Sequence, residues 1–135
     1  MNGLSKKFDL NFIQKVFQYS ELQLNAGNHL FKEGSVNDYV YFIKTGSIVI
    51  LKSKLIIGTI SALDFVGITS CLSDKNVYTF SSIAQEKSNV YRIKNEDFRE
   101  LLLADQSFSV QIIKTLCERI KLTDQKIKDF VETHD

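Results

Sequence analysis

Three stretches with different hydrophobic rhythms divide the chain. Across residues 4–20, Phe8, Phe12, Ile13, Val16 and Phe17 recur at helical spacing, which predicts a short amphipathic helix. Across residues 22–93, β-branched and aromatic residues gather in short runs broken by small polar ones. The runs at 29–32, 39–44, 47–52, 55–60, 78–84 and 89–93 read as strands. From residue 95 onward the apolar positions return to a helical period, with charges on the outer faces.

Turn signals join the strands closely. Thr45-Gly46 predicts one tight turn and residues 52–54 another, while Gly27, Gly34 and Gly46 sit where the chain must bend sharply. Many short strands at close spacing suit a barrel or sandwich better than an open parallel sheet. The expected class is therefore mainly β, or α+β, with helices at both ends. One domain is expected over 1–135: a helical segment at 1–21, a β-roll at 22–94 and helices at 95–135.

The C-terminal stretch carries the sharpest pattern. Ile113, Leu116, Ile120, Thr123, Ile127 and Phe130 follow a 3-4-3-4-3 spacing, the seam of a two-stranded coiled coil. Arg119 then falls at a g position and Asp124 at the following e, a pairing that favours a parallel dimer. An exposed pair of that kind contributes only about 0.2–1 kcal/mol, so it sets register more than strength. A helix of about 25 residues is roughly 37 Å long. A small roll covers only part of that length, so as a monomer its distal half would present an apolar patch that soluble proteins rarely leave open. A homodimer through this helix is the expectation.

Composition narrows the function classes. The 135 residues carry a net charge of +1, which gives no overall pull toward nucleic acid or an anionic membrane. No run approaches the roughly 20 apolar residues that span a bilayer, and no secretory signal opens the chain. A reducing cytoplasm, with Cys71 and Cys117 as free thiols, is expected. His29 and His134 lie far apart and no Cys or His stands at ligand spacing, so neither metal nor cofactor is expected. No Ser/His/Asp or Cys/His set appears at catalytic spacing, which argues against an enzyme.

Several strings, in order, resemble the cyclic-nucleotide-binding domain of the Crp/Fnr (catabolite-activator-like) family. Leu24-Asn25-Ala26-Gly27 through Leu30-Phe31-Lys32-Glu33-Gly34 is similar to its first strand and turn. Tyr39-Val40-Tyr41-Phe42-Ile43-Lys44-Thr45-Gly46-Ser47-Ile48 is similar to its central hairpin, and Asp64-Phe65-Val66-Gly67 to the entry of its phosphate-binding cassette. Arg119-Ile120-Lys121-Leu122-Thr123-Asp124 resembles the dimer helix of the transcription-factor branch. The resemblance implies a jelly-roll β-roll (a double-stranded β-helix) with an N-terminal helix and a long dimerisation helix. It implies an effector-sensing, non-catalytic regulator of transcription. In that branch the dimer helix runs into a helix-turn-helix; here the sequence ends at Asp135, so no DNA contact is expected from this chain.

The resemblance also assigns site positions. Family members hold a cyclic phosphate on backbone N–H groups at a helix start and on a cassette arginine, with a glutamate on the ribose. Those roles fall on Gly67, Ile68 and Thr69 at the helix start, with Ile68 at the glutamate, Tyr78 at the arginine and Thr79 at a small hydroxyl residue. Thr123 matches the helix residue that contacts the purine. Ile68 cannot hydrogen-bond a ribose, and Tyr78 offers one neutral hydroxyl where a guanidinium fork is needed. Losing one charge-assisted bond costs about 1.5–3 kcal/mol, so tight binding of cAMP or cGMP is not expected. Lys75, in the loop at 73–76, is a poor stand-in for a bidentate fork.

Strand alternation places Tyr78, Phe80, Ser82 and Ala84 on one inward face, with Ile68 and Leu72 added. Two readings stay open for that apolar site: a less polar effector, or a cavity filled by core and a module that only dimerises. Cys71 likewise reads either as a thiol activated at the cassette helix or as a small buried hydrophobe. Lys52 and Lys54 flank a hairpin tip and read as solvated surface.

Overall fold

The computed structural model describes residues 7–134. They form two compact units, Lys7–Glu100 and the segment from 101 onward. In chain order the elements are α1 (Leu10–Val16), β1 (Ser20–Leu24), β2 (His29–Phe31), β3 (Tyr39–Thr45), β4 (Ser47–Lys52), β5 (Leu55–Ser61) and β6 (Phe65–Val66). They continue with α2 (Ile68–Leu72), β7 (Ser81–Ala84), β8 (Ser88–Lys94), α3 (Asn95–Ala104) and α4 (Gln106–His134).

The strands make two antiparallel four-stranded sheets, ordered β1-β8-β3-β6 and β2-β7-β4-β5. With helices at both ends this is the mainly β, α+β roll that the strand pattern predicts. Alternation along β3 explains how one sheet serves two cores. Tyr41 and Ile43 face the second sheet and pack with Phe31, Ile48, Val66, Tyr78, Ala84 and Val90. Phe42 faces the other way, its ring 5.0 Å from Phe65. Phe65 also meets Phe8 at 4.9 Å and Phe98 of α3 at 5.2 Å, all edge to face, the arrangement that aromatic quadrupoles favour. The outer layer therefore ties the entry to α1 and the start of α3 to the same sheet.

The N-terminal helix is shorter than its sequence pattern. The predicted span 4–20 begins at residues 4–6, which lie outside the described residues; the helix itself starts where the Asp9 carboxylate accepts from the Asn11 amide. It ends at Phe17, and Ser20 already belongs to β1. Of the predicted stripe, Phe8, Ile13 and Phe17 are buried, Phe12 is half-buried and Val16 is exposed.

Two turns follow the sequence. Ser53 and Lys54 join β4 to β5 with φ of 50° and 71°, the doubly left-handed pair that fits the twist of a two-residue hairpin. At Gly46 the chain crosses from one sheet to the other with φ +98°, and a Cβ there would lie 2.1 Å from Ser88 Oγ. That serine is fixed in place: its hydroxyl accepts from the Ser47 amide and donates to the Glu86 carbonyl.

In the second unit, the Asp105 carboxylate accepts from the Phe108 amide and starts α4, a helix of 29 residues. Along the predicted seam Ile113, Ile120, Thr123, Ile127 and Phe130 are exposed and Leu116 is half-buried. Among the described residues no helix is long and apolar enough to cross a membrane.

The Gly46 corner gives a direct stability test. Gly46→Ala must move the Ser88 backbone, whose Cα lies 2.7 Å from the new Cβ, and hold alanine at φ +98°. We expect a loss of roughly 2–4 kcal/mol in urea denaturation. Gly58→Ala, with nothing within 4 Å of its Cβ and no left-handed φ, should stay close to wild type.

Candidate functional site

The cassette runs from β6 through Gly67 and α2 to Tyr78. Gly67 caps α2 in a left-handed conformation, φ 95°. Its Cα faces the roll: a Cβ built there would stand 3.8 Å from both Phe31 and Tyr78. Helix α2 is only five residues long and has no side-chain cap. Ile68, Ser70 and Cys71 turn inward, while Thr69 is exposed. Leu72, expected to add to an inward apolar face, is exposed instead, because it closes the helix just before the loop at 73–77.

Tyr78 is the centre of the site. Its ring stacks on Phe31 with centroids 3.9 Å apart and planes 11° from parallel. Its hydroxyl donates to the Tyr39 carbonyl at 2.7 Å and accepts from the Tyr39 amide at 3.3 Å. Its own backbone is held as well: Gly34 N–H donates to the Tyr78 carbonyl, and Tyr78 N–H donates to the Ser35 carbonyl. Only 3% of the residue is exposed. Burial drives the phenol pKa far above the ordinary tyrosine value. Tyr41, 5.9 Å from Phe31 by ring centroid, is pushed up by the same cause.

This arrangement corrects the expected strand at 78–84. Strand β7 begins only at Ser81, because the backbone of Tyr78 bonds to the 34–35 turn and not to a strand ladder. Ser82 and Ala84 do point inward with Tyr78, whereas Phe80 is half-buried at the surface with Lys52 Nζ 5.7 Å from its ring. Lys52 also donates to the Thr79 carbonyl at 2.9 Å and pairs with Glu33 at 2.8 Å. Lys52 is exposed, as expected of solvated surface, and is also the hub of a small polar cluster around Thr79 and Phe80. The structure brings together Gly67, Tyr78 and Phe31, and sets Thr79 and Phe80 apart around Lys52. Thr123 lies on α4 in the other unit, exposed, its hydroxyl donating to the Arg119 carbonyl.

Two residues absent from the sequence-derived site do much of the holding, Phe31 and Tyr39. Phe31 falls within the strand predicted at 29–32, but only the fold sets it face to face with residue 78. Tyr39 acts through its backbone, for which the sequence offers no signal.

Cys71 is the inert alternative of its two readings. It is 3% exposed, and burial pushes its thiol pKa up, against a smaller opposing pull from Arg99. A five-residue helix supplies too little dipole to reverse that. Among the described residues no group of three His, Cys, Asp or Glu side chains could hold a metal ion.

Comparison with known proteins agrees with this architecture. A family model described as "Cyclic nucleotide-binding domain" matches residues 21–105. Among solved structures, the c-di-GMP responsive global regulator CLP of Xanthomonas campestris superposes with a TM-score of 0.72 at 17% identity, over 82% of this chain and 58% of that one. The Thermus thermophilus catabolite activator protein gives 0.68 at 16%, over 84% and 55%. The sensor domain of the transcriptional regulator DNR from Pseudomonas aeruginosa gives 0.66 at 16%, over 76% and 75%. At these identities the likeness is one of fold. The chain spans little more than half the length of the first two proteins.

The thiols offer a check on the cassette's packing. Cys117 is exposed and Cys71 buried, so a chromogenic disulfide reagent should label Cys117 rapidly and Cys71 only as the chain unfolds. Equal rates in the native protein would contradict the packing described.

Proposed function

The chain belongs to the family of cyclic nucleotide-binding domains, and from that premise we propose that it is a non-catalytic regulatory domain of Crp/Fnr type. In this reading it dimerises through α4 and does not bind a cyclic nucleotide tightly at its cassette. The observation that carries the reading is the stack of Tyr78 on Phe31 with its hydroxyl bonded to Tyr39. A phosphate seated where the family places its arginine would have to expel that ring from the core. Removing a large buried aromatic side chain typically costs about 3–5 kcal/mol. Nothing replaces what is lost: Ile68 is 1% exposed and has no group for a ribose hydroxyl. Losing the charge-assisted bond adds about 1.5–3 kcal/mol, and each 1.4 kcal/mol is a factor of about ten in affinity.

Of the two readings that the apolar cassette leaves open, the filled core is favoured over a less polar effector. Tyr78 already satisfies both its ring and its hydroxyl within the protein. The dimer reading is supported by the α4 seam, where Ile113, Ile120, Ile127 and Phe130 are each 58–61% exposed. Four such side chains on one stripe match the knobs of a two-stranded coiled coil. Regulation of transcription belongs to the proposal by analogy of fold with the Crp/Fnr-type regulators.

Two measurements test this. Thermal melts with cAMP or cGMP should show no shift, although a ligand at a hundred times its Kd would add about 2.7 kcal/mol. Saturable stabilisation by either nucleotide would overturn the cassette reading. For the seam, Ile120→Glu with Ile127→Glu should convert a dimer to a monomer in sedimentation at tens of micromolar, roughly the range where weak coiled coils dissociate. A wild-type chain already monomeric there would remove the dimer.

A further inference from the structure

A polar cleft of about 250 Å³ lies in the 7–100 unit between the loop after α2 and the start of α3. Its lining includes two acids, Asp38 and Glu96, and two bases, Lys75 and Arg99. The ion pairs found among the described residues are Lys7–Asp64, Lys44–Glu21 and Lys52–Glu33, so none of these four charges is paired. Four unpaired charges of both signs, two of each, ring one small volume.

The cleft is also built, not merely outlined. Asn95, the first residue of α3, is 7% exposed and lines it. Its Nδ2 donates to the Asn37 carbonyl at 3.0 Å and to Asn37 Oδ1 at 3.1 Å. Its Oδ1 is buried and has no hydrogen-bond partner. Native structures rarely leave such an acceptor unsatisfied, since a buried polar atom without a partner is costly. Arg99, one turn further along α3, donates from Nη1 to the Cys71 carbonyl at 3.2 Å. That bond orients its guanidinium and leaves the other edge of the fork without a protein partner among the described residues.

We propose that this cleft binds a small zwitterion of the α-amino acid class. A carboxylate answers the Arg99 fork and the Lys75 ammonium, next to the N-terminal turn of α3, where the helix dipole favours an anion. An ammonium answers Asp38 and Glu96. A ligand of one sign would satisfy one pair of charges and be repelled by the other. The volume is below the roughly 300–1,000 Å³ typical of drug-sized ligands, which suits a single small metabolite. The site uses neither Tyr78 nor Ile68, so it stands or falls apart from the cassette reading.

The test is amide NMR on the whole 135-residue chain, titrated with each common L-amino acid in turn. Acetate and methylammonium, each alone at matched ionic strength, serve as controls. At least one amino acid should shift the Asn37, Asn76, Asn95 and Glu96 amides with saturation, and neither control should. Its Kd should rise about tenfold or more in Lys75→Gln and in Glu96→Gln, a factor that corresponds to about 1.4 kcal/mol. Both side chains are exposed and make no hydrogen bond that the fold uses, so these variants keep the structure. Arg99→Gln should weaken binding further. No saturation below roughly 10 mM with any amino acid, or affinity unchanged in both variants, would overturn the proposal.

Discussion

The roll is organised around a tyrosine whose two ends are satisfied in different ways. The Tyr78 ring lies flat on Phe31 of β2, and its hydroxyl is gripped by both the carbonyl and the amide of Tyr39 on β3. One side chain therefore ties the cassette exit to a strand from each sheet. A buried phenol is tolerated only where its oxygen finds partners, and here a strand's opening residue supplies both a donor and an acceptor. The backbone of residue 78 adds the 34–35 turn to the same knot. Gly67 completes it, since its left-handed φ brings the cassette helix down beside the two rings.

In the function proposed above, this knot changes what the family's cassette can do. Binding an anion there needs a cavity, oriented N–H groups and a fixed cation. Helix α2 is five residues long, its inward residue Ile68 is buried, and the place of the cation is filled by an aromatic ring. What the cassette retains is connection. Asn37 Nδ2 donates to the Ser70 carbonyl and Arg99 to that of Cys71, so the cassette helix is tied to the loop before β3 and to α3 by hydrogen bonds to its carbonyls.

Much of the architecture was legible in the sequence, because strands that bury one face write a period-two pattern. The runs that became β3, β4, β5 and β8 agree with the structure to within one residue at each end. Strand β1 escaped because Ser20-Glu21-Leu22-Gln23-Leu24 is mostly exposed and owes its conformation to pairing with β8. Strand β6 is two residues that exist only as an antiparallel bridge to β3. Tyr78 and Phe80 looked like strand because aromatic residues favour it, yet tertiary bonds to the 34–35 turn overrode propensity. Of the proposed site, the sequence offered Ile68 and Tyr78 only as the positions that the resemblance aligns with a glutamate and an arginine. That Phe31 would stack on Tyr78 could not be read, since 47 positions of chain separate them. Asn37, Asn95 and Arg99 carried no motif at all, and only folding brings them to one cleft.

The most direct probe of the account is the ionisation of Tyr78 itself. Burial favours the neutral phenol, so the folded chain keeps a proton that the unfolded chain releases above about pH 10. Folded stability must therefore fall as the pH rises past that value, and below it the contribution is fully present. An ultraviolet titration of the wild type minus that of Tyr78→Phe isolates this one phenol. The account predicts that it does not ionise until the protein unfolds in alkali. A smooth ionisation near pH 10 in the native state would place Tyr78 in water and leave the cassette open.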